Sequence, residues 1–157
     1  MIDTVKEVLA ECTEEALEQM FFVRPLSEPA APHSAESPHV VAELNFQGEP
    51  SGSFSLSVSP AAARSIAADF LAEEENILSK EQVEEVICEL ANIICGSVLT
   101  RLESRITFRL ASPQIVKAAQ PWETGQALIQ QFHLWNGNFT VGFRTERPVC
   151  AVHEYVS

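Results

Sequence analysis

Residues 81–99, with the sequence EQVEEVICELANIICGSVL, decide how this chain folds. At about 100° of rotation per residue, apolar side chains that recur every three or four positions fall on one helical stripe. The stripe predicts a long helix over residues 80–103, and Ser79 followed by Gln82 predicts a capping box at its start. Its core face is expected to consist of Val83, Ile87, Leu90, Ile94 and Val98.

A second stripe lies almost opposite the first, with Glu85, Glu89, Asn92 and Gly96 at spacings of four, three and four. A solvated face explains the two glutamates but not the other two residues. Asparagine is a poor helix former, and glycine costs about 1 kcal/mol relative to alanine inside a helix. The pattern therefore favours a face that another molecule approaches, where a carboxylate can bind a cation and a neighbouring amide can orient water. The alternatives are a solvated face, or a glycine that only allows close helix packing.

The rest of the chain predicts an α+β fold in which a largely antiparallel, six-stranded sheet packs against long helices. Helical periodicity appears over residues 3–22 and again over residues 60–72. Ser59 is the expected N-cap of the second of these helices, with Pro60 in its first position. Residues 26–38 contain three prolines and predict a mobile loop.

Two hairpins account for four of the predicted strands. Residues 40–47 and 54–58 form the first, and residues 127–135 and 139–145 form the second, around an Asn-Gly turn. The remaining two strands are predicted over residues 105–110 and 149–156, and an irregular segment over residues 114–124.

The composition is typical of one domain. The chain has 157 residues, of which 46% are hydrophobic and 20% are charged. No apolar stretch approaches the ~20 residues that span a bilayer, so no membrane association is expected. The first residues carry acids and no apolar run, which predicts a cytoplasmic protein without a signal peptide.

The charge balance is acidic, with 22 Asp and Glu against 10 Lys and Arg and a formal charge of −12. A nucleic-acid-binding protein needs a basic face to displace counterions from phosphates, and no cluster of basic residues occurs here. Anionic membrane surfaces are disfavoured for the same reason. The balance instead favours a protein partner that is basic at its contact surface.

The cysteines and histidines do not predict a metal site. None of the four cysteines forms a C-x-x-C pair, and Cys88 and Cys95 lie about two helical turns apart, roughly 10 Å, which is too far for one metal to bridge. The four histidines lack ligand spacing. We therefore expect no metal ion and no cofactor on this chain.

The second stripe resembles the signature helix of the CheC/CheX/FliY chemotaxis phosphatases. That signature has an acid or serine, glutamate four residues later, asparagine three further on and, in the CheX branch, glycine four after the asparagine. The corresponding residues here are Glu85, Glu89, Asn92 and Gly96. Two other stretches are also similar to CheX proteins, namely EALEQMFF at residues 15–22 and SPQIV at residues 112–116. With them, the resemblance covers nearly the whole chain.

The resemblance implies a phosphatase that removes the phosphoryl group from a phospho-aspartate of a CheY-like response regulator. In this family the regulator supplies the phospho-aspartate, the Mg²⁺ ion and a lysine. Carried over to this chain, the catalytic residues are Asn92, which orients the attacking water, and Glu89, which pairs with the lysine. Glu85 and Gly96 would contact the partner.

The chain departs from the family pattern at two places. Glu85 is one methylene longer than the aspartate found in some members. CheC-type members carry a second motif on the first helix, but here the matching register is Glu14, Glu18 and Phe21, with phenylalanine in place of asparagine. One active site is therefore expected.

Two other function classes stay open. One is a non-catalytic adaptor of the same fold that binds a regulator or a flagellar-switch component. The other is an unrelated small-molecule-binding domain.

The resemblance also implies a homodimer. Residues 149–156 are apolar and β-prone, with Glu154 as their one formal side-chain charge. Because an unprotected strand edge tends to pair with another strand, this segment is one candidate for the dimer contact.

Overall fold

A computed structural model gives the architecture of residues 2–20, 39–48, 51–102, 107–116, 127–134 and 137–146. The helices in these ranges confirm the three predicted ones. They are α1 (Ile2–Glu15), continued by a π-helical turn (Ala16–Met20), α2 (Pro60–Leu71), a short 3₁₀ turn (Glu75–Ile77) and α3 (Lys80–Leu102). None of them is long and apolar enough to cross a membrane.

The described strands form one antiparallel six-stranded sheet, which confirms the predicted fold class. The strands are β1 (Val40–Gln47), β2 (Gly52–Val58), β3 (Arg109–Leu110), β4 (Gln114–Val116), β5 (Ala127–Leu134) and β6 (Gly137–Thr145). Their order in the sheet is β3-β1-β2-β6-β5, with β4 also paired to β1. Both predicted hairpins are present, β1 with β2 and β5 with β6.

The edge of the sheet beside β1 differs from the prediction. A strand was expected over residues 105–110, and β3 covers the last two of them. Thr107 and Phe108 are described but are not part of a strand, and residues 103–106 lie outside the described ranges. Residues 114–116, expected to be irregular, form β4. The prediction of an irregular segment was therefore wrong there, since three residues after a proline carry too little alternation to show a strand.

A one-residue β-bulge joins β3 to β4. Leu110 pairs with Phe46, and Gln114 pairs with Glu43, so three residues of the edge face only two of β1. The Ala111 N–H still donates to the Asn45 carbonyl at 2.8 Å. The extra residue therefore lies at Ser112 and Pro113, which together face Leu44, and the bulge turns this edge away from a regular strand.

The core lies between the helices and the inner face of the sheet. All five residues of the predicted apolar stripe of α3 are buried. They face a sheet layer of buried aromatic rings, in which Phe46 stacks on Phe143 with ring centroids 5.6 Å apart. Each such side chain gains roughly 1.5–3 kcal/mol from burial. Since α3 contacts α1, α2 and the sheet, its core face is fixed, and the opposite face is turned away from the core.

The predicted helix starts are confirmed, with one difference. The Gln82 N–H donates to Ser79 Oγ at 3.1 Å and the Ser79 N–H donates to Gln82 Oε1 at 2.8 Å, which completes the capping box of α3. Ser59 is the N-cap of α2, but its hydroxyl accepts the backbone N–H of Asn138 and not one from the helix. A Cβ at Gly137 would clash with that hydroxyl, so glycine is needed where the second hairpin meets α2.

We expect Ala72→Gly to stabilise the protein. Ala72 ends α2 with φ 56° and ψ 46°, the left-handed conformation that disfavours any residue with a Cβ. Glycine removes that cost but makes the unfolded chain more flexible, so the net gain is about 0.5–1 kcal/mol. The midpoint of urea unfolding at unchanged m-value measures it. Ala68→Gly, inside the same helix, is the control and lowers the midpoint. A lower midpoint for Ala72→Gly would contradict the argument.

The predicted strand over residues 149–156 and the loop over residues 26–38 lie outside the described ranges. The homodimer, and the dimer contact assigned to residues 149–156, stay predictions.

Candidate functional site

The outer face of α3 forms one wall of a groove of about 670 Å³. Three of the four residues singled out in the sequence lie in it, namely Glu85, Glu89 and Asn92. Glu85 and Glu89 are exposed, and Asn92 is half-buried. The structure therefore brings together the carboxylates and the amide that the spacing placed on one stripe.

The bulged edge strand forms the other wall. The residues that contribute to it are Leu110, Ala111, Ser112, Pro113 and Ile115. β3 and β4 both pair with β1, and the bulge lies between them, within this wall. The groove thus has a polar helical wall and a largely apolar strand wall.

Gly96 lies one turn beyond Asn92 on α3 and does not line the groove. A Cβ built at Gly96 would meet no described atom closer than Leu110 Cδ2, at 4.0 Å, which is an ordinary contact. Close packing within the described part of the chain therefore does not require glycine.

On the helical wall of the groove, three lining residues were missed in the sequence. Glu81 and Cys88 fall on the same stripe as Glu85 and Asn92, at successive spacings of four, three and four, and Glu84 lies beside them. The helical periodicity that identified Asn92 could have found them. No local signal marked the apolar wall, although SPQIV at residues 112–116 belonged to the stretches that resembled CheX proteins.

The groove is strongly acidic. Its four carboxylates are Glu81, Glu84, Glu85 and Glu89, and no lysine or arginine is among the described lining residues. Within the described ranges none of the four pairs with a cation; the ion pairs of Arg101 are with Glu11 and Glu15 on α1. The side-chain amide of Asn92 likewise makes no hydrogen bond to a described residue. Four carboxylates and one amide are thus available to a molecule that enters.

Cys88 is the one thiol among the described lining residues, and it is a poor nucleophile. Burial raises its pKa above the usual value for a cysteine, and the negative charges of Glu84 and Glu85 raise it further. The thiol is therefore protonated at neutral pH. Since nucleophilic catalysis by cysteine requires the thiolate, covalent catalysis through Cys88 is disfavoured.

No group of three or more His, Cys, Asp or Glu side chains in the described ranges is arranged to hold a metal ion.

Comparison with known proteins identifies the relatives of this chain. The family model for chemotaxis phosphatase CheX matches residues 40–133, which is more than half of the chain and includes α3. A comparison with curated protein sequences finds no match.

Solved structures with the same fold include a CheX chemotaxis protein from Desulfovibrio desulfuricans, at 21% identity and a TM-score of 0.71, covering 91% of this chain and 99% of that one. A CheX–CheY–BeF₃–Mg²⁺ complex from Borrelia burgdorferi matches with 21% identity and a TM-score of 0.70, over 91% and 98% of the two chains. FliY from Thermotoga maritima matches with 15% identity and a TM-score of 0.65, over 99% and 93%.

Proposed function

The chain belongs to the CheX family of chemotaxis phosphatases, and from this we propose that it hydrolyses the aspartyl phosphate of a CheY-like response regulator. One observation supports the proposal above the others. Asn92 presents a half-buried amide, without a hydrogen-bond partner among the described residues, to a groove that also holds Glu89. An amide in that position can orient a water molecule, which an adaptor would not need.

The proposed reaction is attack of water on phosphorus. The bond between phosphorus and the aspartate oxygen breaks, the aspartate leaves as a carboxylate, and inorganic phosphate is released. Asn92 holds the water in line, and Glu89 pairs with a lysine of the regulator and so aligns the two proteins. Positioning and electrostatics supply most of the catalysis of phosphoryl transfer, so no nucleophile on this chain is required.

The direct test follows the loss of label from a CheY-like receiver domain phosphorylated on its aspartate. With the phosphatase added, loss should be faster than spontaneous hydrolysis and should increase with phosphatase concentration. Binding to the phosphorylated receiver without faster loss would favour the adaptor. Neither binding nor faster loss, across several receivers, would contradict the proposal.

EDTA should stop the reaction, and added Mg²⁺ should restore it, because the proposed metal belongs to the regulator. Metal analysis of the purified phosphatase alone should give far less than one ion per chain. In the matched control, metal is removed from either the regulator or the phosphatase before the two are mixed. Dephosphorylation should be lost only when the regulator is the protein that was treated. A tightly bound stoichiometric metal on the phosphatase would contradict this assignment.

Gly96→Ala should make the fold more stable and the protein less active. The methyl group gains up to about 1 kcal/mol in helix propensity, since it meets only Leu110 Cδ2 at 4.0 Å. If the regulator approaches Gly96, the same methyl overpacks the interface, and a cost of about 1.4 kcal/mol lowers kcat/KM roughly tenfold. Ser97→Ala, the next residue on α3, is the control and should leave activity unchanged. A stabilised Gly96→Ala protein with full activity would contradict the proposal that the regulator contacts Gly96.

A further inference from the structure

Beyond Glu89 and Asn92, the groove continues toward the start of α3, and this part has no role in the proposed reaction. We propose that it binds a basic, partly apolar segment of the response regulator adjacent to its phosphorylation site, and so selects which regulator is a substrate. The inference rests on the proposed function. The helical residues of this docking groove are Glu81, Glu84, Glu85 and Cys88, and the strand wall of the whole groove includes Pro113 and Ile115.

The length of the groove is the first reason. Lining residues extend along α3 from Glu81 to Asn92, which is about 16 Å at ~1.5 Å per residue. Glu89 and Asn92 occupy only the last turn of that length. A regulator that contacted these two residues alone would leave roughly two further turns of groove empty.

The chemistry of the two walls is the second reason, and it defines the occupant. Glu81, Glu84 and Glu85 lie within little more than one helical turn, so their like charges repel one another at i, i+3 and i, i+4 spacing. A lysine or arginine of a partner would relieve that repulsion. The opposite wall offers Pro113 and Ile115, against which an apolar side chain or the aliphatic stem of that cation can pack. An acidic or purely polar segment satisfies neither wall.

Local charge must be separated from the acidity of the whole chain, which also attracts basic partners. Glu73 and Glu74 are exposed acids between α2 and α3, and neither lines the groove. The double substitution Glu81→Gln with Glu84→Gln is therefore compared with Glu73→Gln with Glu74→Gln, which changes the formal charge equally. All four residues lie on the surface or half-buried, so both variants are expected to fold, and urea unfolding verifies this.

Steady-state dephosphorylation of a receiver phosphorylated with acetyl phosphate gives the first readout. For the groove variant we expect KM to rise about tenfold with kcat within twofold of wild type, since docking is lost and the reacting groups are kept. The control variant should keep the KM of the wild type. If KM is unchanged in the groove variant, or rises equally in the control, the docking inference is overturned.

Alkylation of Cys88 gives a second readout that does not depend on turnover. Cys88 lines the docking groove. A beryllofluoride-activated receiver should therefore slow the reaction of Cys88 with N-ethylmaleimide severalfold, and mass spectrometry of the Cys88 peptide measures this. Protection without any phosphatase activity would support the docking inference and overturn the proposed function. Activity that requires Asn92, together with no protection of Cys88 and an unchanged KM in the groove variant, would support the proposed function and overturn the docking inference.

Discussion

Asn92→Ala should reduce kcat for dephosphorylation at least about 100-fold, because misplacing the attacking water by even about 1 Å has an effect of that size. The residue is half-buried, and its amide faces the groove without a hydrogen-bond partner in the described part of the chain. Its loss therefore removes no described side-chain hydrogen bond of the fold. Single-turnover decay of the phosphorylated receiver, with the phosphatase in excess, measures the chemical step without the contribution of binding.

Stability distinguishes a catalytic defect from misfolding. Alanine is the better helix former, so Asn92→Ala should raise the free energy of unfolding by a few tenths of a kcal/mol. Asn45→Ala is the matched control, because Asn45 is an exposed asparagine on β1 that bonds Ser53 at 2.9 Å and lies outside the groove. It should retain full activity. Near-wild-type turnover by Asn92→Ala would show that the amide does not orient the water.

Glu89→Lys should weaken binding of the phosphorylated receiver roughly 10- to 100-fold and lower turnover with it. The substitution removes the proposed ion pair across the interface and adds repulsion between like charges. Glu89→Ala should have a smaller effect in the same direction, since it only removes the pair. Because Glu89 is exposed and makes no ion pair with a described residue, neither change should unfold the protein.

Titration calorimetry with a beryllofluoride-activated receiver measures the affinity directly. The control is Glu73→Lys, a charge reversal of equal size at an exposed residue outside the groove. Its affinity should stay close to that of the wild type, apart from a modest effect of overall charge. If both Glu89 variants keep the affinity of the wild type, Glu89 has no docking role.

Much of the fold and half of the site could be predicted because the signals are local. The two stripes of α3, its capping box and both hairpins depend on residues a few positions apart, and periodicity or turn chemistry shows them directly. Glu85, Glu89 and Asn92 were found for the same reason. Cys88 could have been found with them, since it lies on the same stripe.

The apolar wall could not be predicted because it depends on a distant contact. Gln114 pairs with Glu43, a residue 71 positions earlier, and only that pairing makes a strand of the three residues after Pro113. The bulge arises because β3 and β4 pair with β1 in registers that differ by one residue. Neither register can be recognised from the sequence of one segment alone. A helix shows its faces in its own sequence, whereas an edge strand depends on the register that its neighbour imposes.

The same bulge has a consequence for the behaviour of the protein in concentrated solution. β3 and β4 lie at an edge of the described sheet, and a straight strand there would offer a row of unpaired backbone groups to other molecules. Pro113 has no N–H to donate, and the extra residue breaks the regular spacing of the groups on either side. An intermolecular ladder therefore cannot extend along the full length of this edge. The feature that shapes one wall of the groove thus also protects the chain against edge-to-edge aggregation.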